Sequence, residues 1–240
     1  MINLSNRLSM VSALLGNADV IADVGCDHGY LPIYLLESGA YLRAIAMDIN
    51  EGPLNRAREN IRLYNLSEAI DTRLSDGVSA LNIGEANSIS ICGMGGNVMM
   101  HIFHTGDKIL QSIPVIVIQP QSEYALLRAY LLENGYVFDD EGIVFEDGKY
   151  YFAWRLHFEQ DMSNKSDSLI SQDCDSVRFC YSPILYKRGD MVYRDYLESY
   201  RASLTESIHN IQSHSPGNTR LESLGYECSI IDNILDKYYN

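Results

Sequence analysis

Acidic residues and glycines share the stretch "IADVGCDHGYLP", residues 21–32. Glycines at this spacing are typical of the loop after the first strand of a nucleotide-binding sheet, where the backbone must approach its ligand closely. Asp23 and Asp27 would repel a pyrophosphate there, because two unit charges about 4 Å apart interact by roughly 4 kcal/mol at an intermediate dielectric. The stretch also lacks the middle glycine of the dinucleotide fingerprint. It therefore favours a nucleoside ligand that carries positive charge instead of phosphate.

Aspartates and glycines also follow the next strands that the sequence predicts. Asp48 stands 25 residues after Asp23, near the interval of about twenty residues at which a Rossmann fold places its ribose-binding acid. Asp76 is placed to accept a hydrogen bond from an adenine amino group, and Gly77 lets the backbone approach. These residues favour S-adenosylmethionine, whose ammonium and sulfonium cations attract carboxylates. The predicted cofactor-binding residues are Asp23, Gly25, Asp27, His28, Asp48, Ile49, Asp76, Gly77 and Gly93. Taken singly, Gly25 also suits an ordinary strand end, and Asp48 an ordinary strand-end cap.

Apolar runs and helical patterns alternate along the first 135 residues or so and predict the elements that position this set. Strands are predicted at 19–25, 42–50, the start of 70–81, 86–96 and 114–121, and helices at 4–15, 31–40, 51–66, 97–110 and 123–135. Strands that alternate with helices predict an α/β fold with a parallel sheet covered on both faces, as in a Rossmann-like fold. The turn at 146–149 predicts a hairpin that adds antiparallel strands at one edge.

The C-terminal third has a different pattern. Residues 159–168 contain few large apolar residues and predict a linker, and two helical stretches at 191–211 and 220–239 predict an antiparallel helical hairpin. The predicted organisation is therefore an α/β domain at 1–158 that would bind S-adenosylmethionine, a linker at 159–168 and a helical hairpin domain at 169–240.

The composition of the 240 residues limits the classes of function. The formal charge of −14 argues against broad, non-specific binding of nucleic acid. No apolar run is long enough for a membrane helix, and the N-terminus has no pattern of an export signal. The five cysteines lack a C-x-x-C pair, and His101 and His104 have no further ligands nearby. We therefore expect a cytoplasmic protein with reduced thiols, no membrane segment and no metal site.

A set of motifs covers almost the whole chain and resembles the bacterial tRNA (adenine-22-N1)-methyltransferases. The motifs are "LSNRL" (4–8), "DVGCDHGYLP" (23–32), "DINEGPLNRARENI" (48–61), "SDGVSAL" (75–81), "CGMGG" (92–96), "IQPQ" (118–121), and "YLLENGY" followed by "EDGKYY". The resemblance implies a Rossmann-like class I methyltransferase domain joined to a C-terminal helical, coiled-coil-like domain. It also implies S-adenosylmethionine as cofactor and tRNA as partner, with methylation of adenine N1 at position 22.

Two residues of the first loop are the predicted catalytic residues. Adenine N1 attacks with its own lone pair, so catalysis is expected to come mainly from positioning and electrostatics. Methylation leaves the purine cationic, and Asp27 would stabilise that charge. His28 would position Asp27 or the adenine, or accept the proton lost from the exocyclic amine; a histidine that only packs in the loop is the plainer alternative.

The predicted substrate contacts lie in four regions. Many amino-group methyltransferases carry an acidic or Asn-Pro-Pro-aromatic motif after the fourth strand, but this chain carries "CGMGG" there, so Met94 is expected to offer an apolar face to the purine. Gln119, together with Gln121, is expected to read a base edge. Arg7 is expected to bind the cofactor carboxylate or a tRNA phosphate, with a simple surface arginine as the plainer alternative. Lys187 and Arg188 in the helical tail are expected to contact tRNA, with simple packing of the tail as the alternative. The oligomeric state stays open.

Three other functions stay open at this point. The sheet motifs also suit a methyltransferase that acts on another RNA or on a small molecule. A nicotinamide oxidoreductase is disfavoured by the missing glycine and by Asp27. A non-catalytic RNA-binding or scaffold protein that retains a cofactor pocket is the remaining class. A test of cofactor binding distinguishes the oxidoreductase from the methyltransferase. A test of turnover distinguishes the methyltransferase from the non-catalytic scaffold.

Overall fold

The computed structural model describes residues 2–160, 181–215 and 217–240. The chain divides into two compact units, one that ends at Cys180 and one from Tyr181 to Asn240. The predicted linker at 159–168 and the predicted start of the helical domain at 169 lie almost wholly outside the described residues. The boundaries 1–158 and 169–240 therefore stay a proposal.

The first unit alternates strands and helices and ends in a hairpin. Its strands are β1 (Val20–Val24), β2 (Arg43–Asp48), β3 (Ile70–Leu74), β4 (Ser88–Met94), β5 (Val115–Pro120), β6 (Tyr136–Glu146) and β7 (Lys149–Phe158). Its helices are α1 (Asn6–Leu15), α2 (Tyr30–Glu37), α3 (Glu51–Leu63), α4 (Gly96–Thr105), α5 (Asp107–Leu110) and α6 (Tyr124–Glu133). The predicted order of strands and helices is confirmed, except that one predicted helix is divided into α4 and α5.

The strands form a single sheet in the order β3-β2-β1-β4-β5-β7-β6. The first five run parallel, and β7 pairs antiparallel with β5 and with β6. The chain runs outward from β1 to β3 and then returns to place β4 on the other side of β1. Such a reversal opens a crevice beyond the carboxyl ends of the two strands, which is where open α/β sheets bind ligands. The predicted Rossmann-like α/β fold with an antiparallel edge is confirmed.

Helices cover both faces of this sheet. Alternate residues of a strand point to opposite faces, and accordingly Ile21 belongs to one hydrophobic cluster and Ala22 to the other. The cluster around Ile21 includes side chains of α1, α2 and α3, and the cluster around Ala22 includes side chains of α4 and α6. Burial on both faces explains why the strands read as continuous apolar runs.

The structure corrects one predicted helix. Residues 97–110 were expected to form one helix, but α4 ends at Thr105 and α5 begins at Asp107. Gly106 leaves helical geometry at φ −104° and ψ 18°. A Cβ atom at Gly106 would lie 2.1 Å from Cγ2 of Val78, so this break in the helix packs against the loop after β3 in a way that requires glycine.

The hairpin turn between β6 and β7 is confirmed and fixes the first helix. Asp147 and Gly148 both adopt positive φ, 50° and 77°, as a two-residue type I′ turn requires. The preceding residue, Glu146, accepts hydrogen bonds from the backbone N–H groups of Asn6 at 2.7 Å and Arg7 at 3.4 Å. A carboxylate at a helix N-terminus is stabilising, so the hairpin holds the start of α1 and with it Arg7.

The second unit contains the helices α7 (Pro183–Arg188), α8 (Met191–His214) and α9 (Arg220–Tyr238). Arg201 on α8 donates to Asp232 on α9, and the hydroxyl of Tyr239 donates to the carbonyl of Asp190 at 3.0 Å. Contacts between early residues of one helix and late residues of the other confirm the antiparallel helical hairpin. The short α7, between the side-chain cap of Ser182 and a left-handed Gly189, was not predicted as a separate element. No helix in the described ranges is long and apolar enough to cross a membrane.

Candidate functional site

A cavity of about 300 Å³ opens beyond the carboxyl ends of β1 and β4. Its lining combines the loop after β1, the end of β4 and the first turn of α1. The residues are Arg7, Leu8, Asp23, Gly25, Cys26, Asp27, His28, Tyr30, Leu31, Cys92 and Gly93. The fold therefore brings together six of the residues that the sequence singled out: Arg7, Asp23, Gly25, Asp27, His28 and Gly93.

The loop after β1 turns sharply through three left-handed residues. Gly25, Asp27 and Gly29 have φ of 74°, 47° and 69°. A Cβ atom at Gly25 would lie 2.5 Å from Cε of Met94, so both the backbone conformation and the close approach require glycine there. Asp27 is the exception, because a non-glycine residue in this region is uncommon and such strain is concentrated at functional sites.

Asp23 is a buried carboxylate at the floor of the cavity, with 4% of its surface exposed. It accepts a hydrogen bond from the hydroxyl of Ser90 at 2.6 Å. Burial, with a smaller contribution from the negative charge of Asp48, raises the pKa of Asp23 to about 6 even though the Ser90 hydrogen bond lowers it. Such a carboxylate gains from a cationic ligand, which restores the favourable interactions that the buried charge lacks.

Asp48 ends β2 beside this loop, and Ile49 follows it. The carboxylate of Asp48 accepts hydrogen bonds from the backbone N–H of Asn50 at 2.9 Å and, more weakly, of Asp27 at 3.4 Å. The apolar side chain of Ile49 is 58% exposed. A carboxylate at the end of β2 beside an exposed aliphatic side chain is suited to a ribose hydroxyl pair and to the face of the attached base.

The predicted catalytic pair lies at the mouth of the cavity. Asp27 accepts a hydrogen bond from Arg56 of α3 at 3.2 Å, and Nε2 of His28 lies 3.6 Å from its other carboxylate oxygen. The His28 ring stacks on Tyr30 at a centroid distance of 5.2 Å, and the His28 carbonyl accepts a hydrogen bond from Asn60 at 2.9 Å. Both residues are thus held from neighbouring helices while their side chains stay accessible to a ligand.

The predicted cofactor residues Asp76 and Gly77 lie in the turn after β3 and do not line this cavity. Asp76 is exposed in the turn after β3, and its carbonyl accepts a hydrogen bond from the Ser79 N–H at 3.2 Å. Gly77 is buried with φ 55°, and an added Cβ atom would lie 3.1 Å from Ile102. Gly77 therefore serves the close packing of this turn on α4, while Asp76 stays free to face a ligand from solvent.

The turn after β4 supplies backbone and an apolar side chain. Gly93 has φ 77°, and no atom lies within 4 Å of where its Cβ would be, so this position borders open space. Met94 contacts the glycine turn after β1 through its Cε atom and stays partly exposed. Burial raises the thiol pKa of the neighbouring Cys92, and that of Cys26, well above the ordinary range. Both thiols are therefore protonated at neutral pH and are poor nucleophiles.

Gln119 is fully buried at the end of β5, which limits its predicted contact with a base. Its amide nitrogen donates to the carbonyl of Pro120 at 2.9 Å, and its amide oxygen accepts from Gln121 at 3.2 Å. Gln121 is exposed. The arrangement supports Gln119 as the residue that orients Gln121, and Gln121 as the one of the two that is accessible to a ligand.

The predicted cations lie on different units. Arg7 is half-buried in the cavity lining, with its guanidinium 5.3 Å from the centre of the Tyr151 ring. Lys187 and Arg188 form the exposed last turn of α7 in the second unit, where Arg188 lies 3.5 Å from the carboxylate of Asp190. Arg7 thus borders the cavity, and its contact with a cofactor carboxylate stays a prediction, as does the role of the other two in binding tRNA.

Several residues of the site were missed from the sequence. Arg56 holds Asp27 in the loop after β1, and Ser90 holds Asp23 near the end of β1, as described above. Glu123, at the start of α6, adopts a left-handed conformation with φ 52° and accepts a hydrogen bond from the N–H of Gly96 at 2.9 Å. It thereby ties the turn after β5 to the glycine turn after β4. Arg56 lies in a quoted motif and was a recognisable candidate, whereas nothing in the sequence signalled the conformation of Glu123.

The cavity and the adjoining end of β2 suit S-adenosylmethionine in charge. The buried Asp23 carboxylate suits a cationic group, the left-handed Gly25 turn suits a close backbone approach, and Asp48 suits a ribose. In the described residues no group of three or more His, Cys, Asp or Glu side chains is placed to hold a metal ion.

Comparison with known proteins defines the class to which this fold and site belong. A family model described as "Methyltransferase domain" matches residues 4–153. The chain therefore belongs to the methyltransferase domain family.

Individual relatives carry names that specify a reaction. The tRNA (adenine(22)-N(1))-methyltransferase of Bacillus subtilis (strain 168) is 36% identical over 150 residues, which make up 62% of this chain and 63% of that protein. The match thus spans less than two thirds of that relative. The crystal structure of the B. subtilis m1A22 tRNA methyltransferase TrmK has a TM-score of 0.82 at 29% identity and covers 98% of this chain and 100% of that one.

A third relative bears on the cofactor. The structure of M. capricolum TrmK in complex with the natural cofactor product S-adenosyl-homocysteine has a TM-score of 0.80 at 28% identity and covers 98% of this chain and 99% of that one. Both structural matches extend over the C-terminal helices as well as the sheet.

Proposed function

We propose that this protein methylates N1 of adenine 22 in tRNA with S-adenosylmethionine as methyl donor. The observation that carries the proposal is the acidic cavity at the reversal point of the sheet, where Asp23, Asp27 and Asp48 converge on a glycine turn. This arrangement suits a cationic nucleoside and disfavours a pyrophosphate. The activities and ligands named for the relatives support the same reaction. A cytoplasmic location, together with its tRNA substrate, is part of the proposal.

Four elements would share the binding of the cofactor. Asp48 would accept the ribose hydroxyls, Ile49 would cover a face of the adenine, and Asp76 would accept from the adenine amino group. Asp23 would stabilise positive charge at the floor of the cavity, and Arg7 is placed for the carboxylate. When bound, the cofactor supplies a methyl group already activated for transfer.

The residues of the first loop would then stabilise the charge that develops on the substrate base. The N1 lone pair needs no general base, so Asp27 acts by its charge, which Arg56 holds in place through the 3.2 Å hydrogen bond. A fixed carboxylate at a site of developing positive charge lowers the barrier without reorganising during the reaction. His28, beside Asp27, would orient the base or accept the proton of its exocyclic amine.

The acceptor base must leave its paired position to reach this loop. Turning a base outward costs a few kcal/mol. This cost must be offset by contacts to the base and to the RNA backbone. Met94 would contact the purine face, and Gln121, held by Gln119, would contact a base edge.

The first expected result concerns Asp48, the acidic residue proposed to bind the ribose. Asp48→Ala should weaken binding of S-adenosylmethionine roughly a hundredfold, because two hydrogen bonds to a charged acceptor are lost at about 1.5 kcal/mol or more each. Calorimetric titration measures this change. The matched control is Asp19→Ala, an exposed aspartate directly before β1 at the opposite end of the sheet. Equal affinity in the two variants would remove Asp48 from the ribose site.

Cofactor affinity should also depend on pH. The pKa of Asp23 is raised to about 6, and a cationic ligand binds better to its ionised form. Affinity should therefore be full above pH 6 and fall as the pH drops through 6, by up to about tenfold per unit well below it. Titrations between pH 5 and pH 7.5 measure the profile. Asp23→Asn should abolish the dependence and His28→Gln should retain it; a profile unchanged by Asp23→Asn would contradict the assignment.

The predicted contacts of the helical tail with tRNA have a separate test. Charge reversal at Lys187 and Arg188 should weaken tRNA binding and leave cofactor affinity unchanged, because the cofactor cavity belongs to the other unit. Filter binding measures tRNA affinity, and charge reversal at Lys237, on α9 of the same unit, serves as the control. Unchanged tRNA affinity would show that Lys187 and Arg188 do not bind tRNA and serve packing or solubility instead.

Cofactor binding and transfer together test the class of function. The protein should bind S-adenosylmethionine but not NAD, and should transfer a labelled methyl group to unmodified tRNA. Binding of NAD alone would indicate an oxidoreductase. Cofactor binding with no transfer to any RNA or small molecule tested would favour a scaffold that retains the pocket.

A further inference from the structure

A second cavity, of about 330 Å³, lies at the opposite end of the sheet. It is formed by the amino ends of β2 and β3 and the last turns of α3, and three arginines line it: Arg43, Arg58 and Arg62. Arg43 begins β2 and Asp48 ends it, so about 16 Å separates this cavity from the acidic site at about 3.3 Å per residue. The two cavities also differ in the charge that they present.

The three guanidinium groups are not equally engaged. Arg58 is held in place, because it donates to Thr72 at 3.0 Å, to Asn55 at 2.8 Å and to Glu51 at 3.1 Å. Arg43 and Arg62 are exposed, and neither forms an ion pair or side-chain hydrogen bond within the described part of the chain. One fixed cation and two available cations therefore face the same open space.

Two carboxylates in the lining temper this positive charge without cancelling it. Asp71 accepts a hydrogen bond at 2.8 Å from Arg73, which also pairs with Glu85, so the charge of Asp71 is partly compensated. Glu68 is exposed and lies in the loop before β3. Unpaired arginines gathered in one cavity are unexpected in a chain with a formal charge of −14, since most of the surface of such a chain repels polyanions.

We propose that the cavity of Arg43, Arg58 and Arg62 binds backbone phosphates of the RNA substrate. This inference rests on the proposed function and deepens it by naming a surface that holds the RNA. Guanidinium groups match phosphate oxygens in a two-pronged geometry, and A-form RNA is read largely through its backbone. A ligand that reaches both this cavity and the acidic site must span about 16 Å, which a polynucleotide does and a free phosphate does not. The acidic site rejects phosphate while the arginine cavity anchors it.

The test compares two variants that remove the same charge. Arg43→Ala combined with Arg62→Ala should weaken binding of unmodified tRNA roughly tenfold and reduce the slope of log affinity against log salt concentration by about two. The control, Lys108→Ala combined with Lys149→Ala, removes two exposed cations of the same unit from outside the cavity. Both pairs are exposed, so both variants should fold, and both should bind S-adenosylmethionine as the parent does. Equal tRNA affinity and slope in the two variants would overturn the proposal.

Two further outcomes separate the sources of phosphate and the two proposals. Calorimetry with inorganic phosphate tests the first. If the parent binds phosphate, and Arg43→Ala and Arg62→Ala abolish that binding while tRNA binding is unchanged, the cavity binds a small anion and the RNA assignment is overturned. If the parent methylates tRNA, and the arginine variant binds tRNA with the same affinity and salt dependence as the control, the cavity proposal alone fails. If the parent binds tRNA through these arginines but methylates nothing, the proposed reaction fails and the RNA-binding cavity stands.

Discussion

Asp27→Asn should lower the turnover number for tRNA methylation by about a hundredfold or more, the usual loss when one charge-stabilising group is removed from an active site. Asparagine is the informative replacement, because it tolerates the left-handed backbone at φ 47° and keeps the volume of the side chain. Only the charge beside Arg56 and His28 is lost. Since Asp27 is exposed and its side chain faces the mouth of the cavity, cofactor affinity should change far less than turnover.

The chain offers a matched control for this variant. Asp147 has φ 50° in the turn between β6 and β7, so Asp147→Asn makes the same chemical change in the same backbone region away from the cavity. Single-turnover kinetics with saturating cofactor measure both variants. Full activity in Asp27→Asn, or an equal loss in Asp147→Asn, would show that the charge of Asp27 does not act in catalysis.

Arg128→Met should reduce the free energy of unfolding of the first unit by about 3–5 kcal/mol, the usual cost of breaking a buried ion pair by removing one of its two side chains. Arg128 on α6 donates to both carboxylate oxygens of Glu141 on β6, at 3.0 Å and 2.5 Å. The side chains of the two residues are 8% and 0% exposed. The guanidinium also lies 4.4 Å and 4.7 Å from the ring centres of Phe138 and Trp154, so its removal opens the packing of the hairpin on the sheet.

The double variant distinguishes a lost ion pair from a lost side chain. Arg128→Met combined with Glu141→Leu removes both charges and should recover most of the stability, because apolar pairs of similar volume replace buried ion pairs at little cost. Urea unfolding followed by far-ultraviolet circular dichroism measures all three proteins. A loss in Arg128→Met below about 1 kcal/mol, or no recovery in the double variant, would contradict the broken ion pair as the cause.

The strands and the acids at their ends could be predicted because local sequence determines them. Apolar runs such as 114–118 cannot remain in water, and the glycines and aspartates that follow such runs must lie at the carboxyl edge of a parallel sheet. That reasoning placed Asp23, Asp27 and Asp48 near one another before any contact was known. The hairpin was equally local, because Asp147 and Gly148 specify their turn.

Contacts between distant elements could not be predicted in the same way. The helical pattern of residues 123–135 does not reveal that Arg128 faces inward, because its partner Glu141 lies on another element and only their pairing makes burial tolerable. Gln119 was expected to read a base edge from the end of β5, but it is fully buried, and hydrogen bonds with Pro120 and Gln121 satisfy its amide in the interior. The left-handed Glu123 accepts a hydrogen bond from Gly96, which lies 27 residues earlier in the chain, so the local sequence around Glu123 does not reveal this contact.

The central claim is tested most directly by identifying the product of methyl transfer. The protein is incubated with labelled S-adenosylmethionine and unmodified tRNA that carries A22, and the modified nucleoside is identified by mass spectrometry. A matched tRNA with A22 replaced by guanosine, and the base opposite changed to preserve pairing, is the control. We expect N1-methyladenosine with the first tRNA and none with the second. Equal methylation of both tRNAs, or a different methylated nucleoside, would contradict the account.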